Sequence, residues 1–134
     1  MRDRTRSREY ALQMLYQTDI RHADHRQIAA EFWREQEAGE EIRAFATRLF
    51  TGTAEHLSEL DRLIANHADN WDLKRMAVID RNILRLGAFE LLHLREEVPP
   101  KVCINEAIEL AKRFGDTESG KFINGILDAI HKNT

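Results

Sequence analysis

Four arginines, Arg2, Arg4, Arg6 and Arg8, stand on alternate residues at the start of the chain, and near its end a cation and a ring, Lys121 and Phe122, are neighbours. Guanidinium groups meet phosphates through a planar fork and release condensed counterions as they do so. An aromatic ring offers a face on which any nucleobase can stack, for about 1 to 3 kcal/mol. A cationic tail with a second cation beside a ring is the combination that a single RNA strand requires. If three or four of the arginines meet phosphates, a slope of about −0.7 per contact gives a logarithmic salt dependence of about −2 to −3 from the tail alone. On pattern alone Phe122 is favoured as a core ring, because Ile126 and Leu127 follow it at helical spacing.

Other chemistries find little support. No Ser/His/Asp order, Gly-rich phosphate loop or G-x-G-x-x-G is present, so the chain reads as a non-enzyme without a cofactor. His22, Asp24 and His25 are the one cluster that resembles metal ligands, and they lack a fourth ligand and an outer shell to orient them, so no metal is expected. The lone Cys103 has no internal disulfide partner.

Of 134 residues, 43% are hydrophobic and 32% charged, which suits one soluble domain with its own core. No apolar run approaches the ~20 residues of a membrane helix, and the charged start lacks the apolar stretch of a secretory signal. A cytoplasmic location follows as the expectation. The net charge of −3 conceals an asymmetry, because residues 1 to 8 hold four arginines against Asp3. A solvated, frayed terminus is the competing reading.

The elements that must position these residues are helical throughout, since apolar residues recur at three and four and strand alternation is absent. The pattern predicts a first helix from about Arg6 to Ile20, its early arginines on the first turn and before it. A second helix is predicted over Gln27 to Gln36, closed by Gly39. A long pattern follows from Ile42 to Ile64, with Gly52 placed to bend or split it, and then a waist from His67 to Asp72. A central core helix runs from Lys74 to about Leu94, apolar on more than one face. Glu90, if buried there, needs a partner such as Arg85 or Arg81. Pro100 suits the start of the next helix, Gly115 its left-handed cap, and Asp116, Thr117 or Ser119 the cap of the last. The expected class is all-α, about seven helices in two small subdomains, residues 1–70 and 71–134, packed as one domain.

Three stretches carry a family likeness: RSREYALQMLYQ from Arg6 to Gln17, DRNILRLGAFELL from Asp80 to Leu92, and VPPKVCINEAIELAKRFG followed by SGKFINGILD. Through them the chain resembles the NusB family of bacterial transcription antitermination factors. The likeness covers nearly the whole chain, thinly from Asp24 to Asn70 and densely from Arg75 onward. It implies two three-helix subdomains, no catalysis, and binding of the boxA element of nascent ribosomal RNA. It also implies a protein partner, NusE, a small-subunit ribosomal protein, and loading of the pair onto RNA polymerase.

The same likeness assigns residues. Arg4, Arg6 and Arg8 align with the family's arginine-rich start, thinned here by Thr5 and Ser7. Lys121 and Phe122 match its KF pair, which turns the preference for Phe122 toward base stacking. Tyr16 and Asp80 match positions on the NusE face, with a packing tyrosine and an N-cap aspartate as the plain alternatives. Glu118 falls in the acidic turn before the last helix, where it would temper affinity for phosphate. A homodimer that masks the RNA face is the alternative to a monomer. Two rival readings are the NusB-like domain of a ribosomal RNA cytosine methyltransferase and a helical interaction module whose basic tail is incidental.

Overall fold

In a computed structural model that describes residues 2–68 and 72–134, the chain folds into seven α-helices joined by short turns. They are α1 (Asp3–Arg21), α2 (His25–Glu35), α3 (Glu40–Glu55), α4 (Leu57–His67), α5 (Val78–His93), α6 (Pro100–Phe114) and α7 (Ser119–Lys132), with a 3-10 turn, Leu73–Arg75, ahead of α5. Among the described residues there is no strand.

The centre is α5. Its apolar residues surround the axis, so Ile83, Leu84, Leu86, Ala88, Phe89 and Leu91 are all buried. Such a helix is stable only when covered on every side, and α1, α3, α4, α6 and α7 all pack on it. Gly87 lets α7 approach, because a Cβ there would lie 2.8 Å from Leu127 Cδ1. On α7 the residues Ile123, Ile126, Leu127 and Ile130 form one buried stripe, the spacing of an amphipathic helix seated on a core.

Several boundaries differ from the sequence reading, each for a local reason. The first helix begins at Asp3, not near Arg6, and Asp3 supplies the acid that a first turn favours. The break after α3 falls at His56 rather than Gly52, which stays helical with the Phe89 ring lying over it. The second helix ends at Glu35, and Gly39 stands at the N-cap of α3 instead of closing α2. Gly115 is extended, with φ −102° and ψ −171°, so it is not a left-handed cap. The one residue with positive φ among those described is His22, at the end of α1. The last helix has Glu118 at its cap without a side-chain bond, while the Ser119 hydroxyl accepts from the Asp116 N–H at 3.0 Å. Pro100 does open α6. Half of the expected waist at 67–72, residues 69–71, lies outside the described residues, and His67 is the last residue of α4.

Candidate nucleic-acid interface

Alternate residues line one side of an extended chain, but in a helix each step of two turns the side chain by about 200°. With α1 starting at Asp3, the arginines of the expected tail therefore point in different directions. Arg4 turns toward α3, its guanidinium carbon 4.3 Å from the centre of the Phe45 ring. Arg6 turns to the other side, where its Nε donates to the Tyr10 hydroxyl at 3.1 Å. Arg8 points inward and is 2% exposed.

Arg8 forms the central polar contact of the interior. Its Nε donates to Glu90 Oε2 at 2.9 Å and its Nη2 to Oε1 at 2.7 Å, a two-pronged pair between α1 and α5. Its Nη1 lies 3.5 Å from Glu106 on α6, and that carboxylate also accepts from the Thr5 hydroxyl at 2.8 Å. Burial pushes the Glu90 carboxyl up while the Arg8 guanidinium draws it down, and the Glu106 charge adds to the rise. Burial lowers Arg8, but its bond to Glu90 and the two carboxylate charges outweigh that and hold it above its ordinary value. Two expectations are corrected here. Arg8 belongs to an interior network rather than to a solvated tail, and Glu90 takes Arg8 as its partner in place of Arg85 or Arg81. Those two face elsewhere, Arg85 bonding Asp61 and Asn82, and Arg81 lying 3.6 Å from Asp19.

The surface that remains is organised by α6. Lys101, Val102, Asn105, Glu109, Lys112, Arg113 and Phe114 are its exposed residues. On one flank, Arg2 lies 3.8 Å from Glu106 and Arg113 pairs with Glu9 of α1. On the other flank is the start of α7, where Lys121 borders a groove with Ile108 and Lys112. The basic end of α1 and the beginning of α7 thus meet the same helix, within about two turns of one another.

Phe122 is half-buried, packed against the core, and it lines a pocket of about 160 Å³ with Met76, Ala77, Asp80, Asp116 and Glu118. Asp80 lies inside the first turn of α5, whose cap is Ala77, so the N-cap reading of Asp80 does not hold. Its Oδ1 is buried without a hydrogen-bond partner. Tyr16 is 43% exposed and borders a second groove, mostly apolar, with Leu12, Gln13, Phe32, Ile79 and Phe114. The two pockets draw on consecutive residues of α5, Ile79 and Asp80. Phe114, which the sequence reading passed over, is 42% exposed at the end of α6.

A model described as the NusB family matches residues 5–132. The chain belongs to the NusB family. It is 48% identical over 130 residues to a transcription antitermination protein NusB of Sorangium cellulosum, covering 97% of this chain and 92% of that one. It is 42% identical to the NusB of Nitratiruptor over 98% of this chain and 94% of the relative. Among solved structures, a T. maritima NusB matches with a TM-score of 0.88 and 42% identity over 96% of this chain and 90% of that one. A structure described as antitermination factors NusB and NusE in complex with dsRNA matches with a TM-score of 0.89 and 30% identity, over 100% of this chain and 99% of that one. This is a family of antitermination factors rather than of enzymes.

Within the NusB fold of this chain the remaining candidates have plain structural roles. Asp24 caps α2 by accepting from the Arg26 N–H at 3.0 Å, and His25 Nε2 lies 3.8 Å from Glu55. Among the described residues no group of three or more His, Cys, Asp or Glu could hold a metal ion, and no helix is long and apolar enough to cross a membrane. Cys103 is 1% exposed, its Sγ donating to the Gly87 carbonyl at 3.4 Å, and burial pushes the thiol well above its ordinary range. A buried neutral thiol is a poor nucleophile. Alkylation of Cys103 by iodoacetamide at pH 8 is therefore expected only in denaturant; mass spectrometry showing rapid labelling of the native chain would contradict this.

Proposed function

We propose that this chain is a transcription antitermination factor that binds boxA RNA of nascent ribosomal transcripts together with NusE and joins an antitermination complex on RNA polymerase in the cytoplasm. The observation that carries the reading is the likeness, over the whole chain, to a NusB held with NusE and RNA. The basic rim along α6 supports it from physical chemistry. Arg2 and Arg6 supply guanidinium groups at the start of α1, with Arg4 turned toward α3, Lys121 supplies an ammonium across α6, and half-buried Phe122 packs on the core beside it. Arg8 positions the helix that carries the others. Tyr16 and Asp80, each lining a pocket of its own, are the residues we assign to NusE, and because Asp80 shares its pocket with Phe122 the NusE contact borders the RNA contact there. No step of this function is chemical; it is assembly.

The test is a titration of single-stranded boxA RNA, its duplex form and a scrambled strand, with and without NusE, over a range of salt. Salt-sensitive binding that prefers boxA and tightens with NusE is the expected result. Phe122→Ala should weaken RNA binding by about 1 to 3 kcal/mol, the range for one stacked base, with helical circular dichroism unchanged. Asp80→Lys should reduce NusE binding and leave the RNA affinity of the chain alone nearly intact. Equal affinity for boxA, scrambled strand and duplex would sink the reading in favour of an unspecific basic surface.

A further inference from the structure

Long polar side chains bridge the seam between α1 and α6. At its upper part sits Glu9, 3% exposed. One of its carboxylate oxygens lies 3.6 Å from Arg6 Nη1 and the other pairs with Arg113 Nη1. Both arginine side chains nevertheless remain 47% and 44% exposed. A single interior carboxylate thus holds two guanidinium groups from different helices side by side at the surface. Two guanidinium groups thus face one carboxylate.

We propose that Arg6 and Arg113, aligned by Glu9, form a fixed two-guanidinium fork that receives a phosphate of the bound nucleic-acid strand. The proposal rests on the RNA reading above and deepens it by naming a contact and its support. Guanidinium is the group suited to planar, two-pronged phosphate recognition, and a lysine is not equivalent there. Holding both arginines in place before binding lowers the ordering cost when the phosphate arrives. The place is apt as well. The fork stands on the α1 flank of α6, and Lys112, next to Arg113 in that helix, lines the groove that holds Lys121. Glu9 does not touch the ligand; it is a positioning residue.

The experiment uses the full chain with labelled boxA RNA over a salt series, on wild type and on Arg113→Gln, Arg113→Lys and Glu9→Gln, each first checked for an unchanged thermal melt. Arg113→Gln should weaken binding three- to tenfold and reduce the logarithmic salt slope by about 0.7, the value of one lost single-strand contact. Arg113→Lys should keep the slope and recover only part of the affinity. Glu9→Gln should weaken binding two- to fivefold although it removes a negative charge, an effect that simple electrostatics would reverse. Tighter binding by Glu9→Gln, or wild-type affinity and slope in Arg113→Gln, overturns the fork while leaving the RNA reading in place. Loss of salt-sensitive RNA binding in the wild type removes both. Vesicles of phosphatidylglycerol and free inorganic phosphate form the control arms, and an Arg113 effect confined to them also overturns the proposal.

Discussion

Replacing Arg8 with alanine is expected to lower stability by about 3 to 5 kcal/mol, the cost of removing one partner from a buried ion pair. The loss has two sources. Glu90, 2% exposed, would retain a carboxylate deep among apolar side chains with its two-pronged partner gone. Glu106 would also lose a neighbour, leaving it with Thr5 and Arg2.

The sign of the pH dependence follows. Burial already pushes the Glu90 carboxyl above its ordinary value, and without Arg8 the counteracting pull disappears. A carboxyl raised in the folded state favours folding below its unfolded value, and that advantage is lost as pH rises through the folded value. The destabilisation by Arg8→Ala should therefore be largest at neutral pH and shrink toward pH 5. Urea unfolding at several pH values measures it. A loss below 1 kcal/mol at pH 7.5, or one that does not change with pH, would show that the pair is not the interior link described above. Replacing both members, as in Arg8→Met with Glu90→Leu, should recover much of the loss, because hydrophobic replacement of buried ion pairs is often neutral or stabilising.

Gly52→Ala provides the second large effect, and here two principles predict opposite signs. Helix propensity favours alanine over glycine by about 0.8 to 1 kcal/mol in a helix interior, and Gly52 lies within α3. Packing opposes it: a Cβ on residue 52 would stand 2.1 Å from Cζ of Phe89 and 2.6 Å from Cε1. Phe89 is 5% exposed and sits in the covered stretch of α5, with His56 and His93 rings beside it at 5.8 and 5.2 Å. The ring has little space into which to retreat, so overpacking of about 1 to 3 kcal/mol should win. A net fall in stability is the expected outcome, with partial restoration when Phe89→Leu is combined with it. Thermal melts of the two single variants and the double variant decide it. A rise in Tm for Gly52→Ala alone would mean that the α3–α5 contact is looser than the structure indicates.

The same glycine shows why some of the molecule escaped a reading of the sequence. A glycine in an apolar periodic run is ordinarily a weak point, and Gly52 was assigned the break between helices on that ground. Its purpose is set by Phe89, thirty-seven positions away, which no local pattern connects to it. Local pattern also gives Gly39 the end of α2 and Gly115 a left-handed cap, whereas Gly39 opens α3 and Gly115 is extended.

Much of the rest was legible. Repeats at three and four specified an all-helical chain, the all-round apolar pattern of Ile83 to Leu92 identified the central helix, and Pro100 marked the start of α6. Long, irregular stretches such as VPPKVCINEAIELAKRFG identified the family. The need of Glu90 for a cationic partner was also evident, though not which one.

What the sequence determined by itself, then, was periodicity and family: helix content, the order of elements, and the residue types available for binding a polyanion. The tertiary structure decided which arginines are presented to solvent. Alternate spacing looks like one basic strip when read along a line, but the helix puts Arg6 on the opposite side from Arg4 and Arg8, which both reach the Phe45 ring, and the position of α5 and α6 turns Arg8 into an interior link. Arg113 and Glu9, separated by 104 positions, become neighbours for the same reason. Local patterns report the free energy of forming helices, whereas the pairing of charges between helices depends on which faces the hydrophobic core brings together.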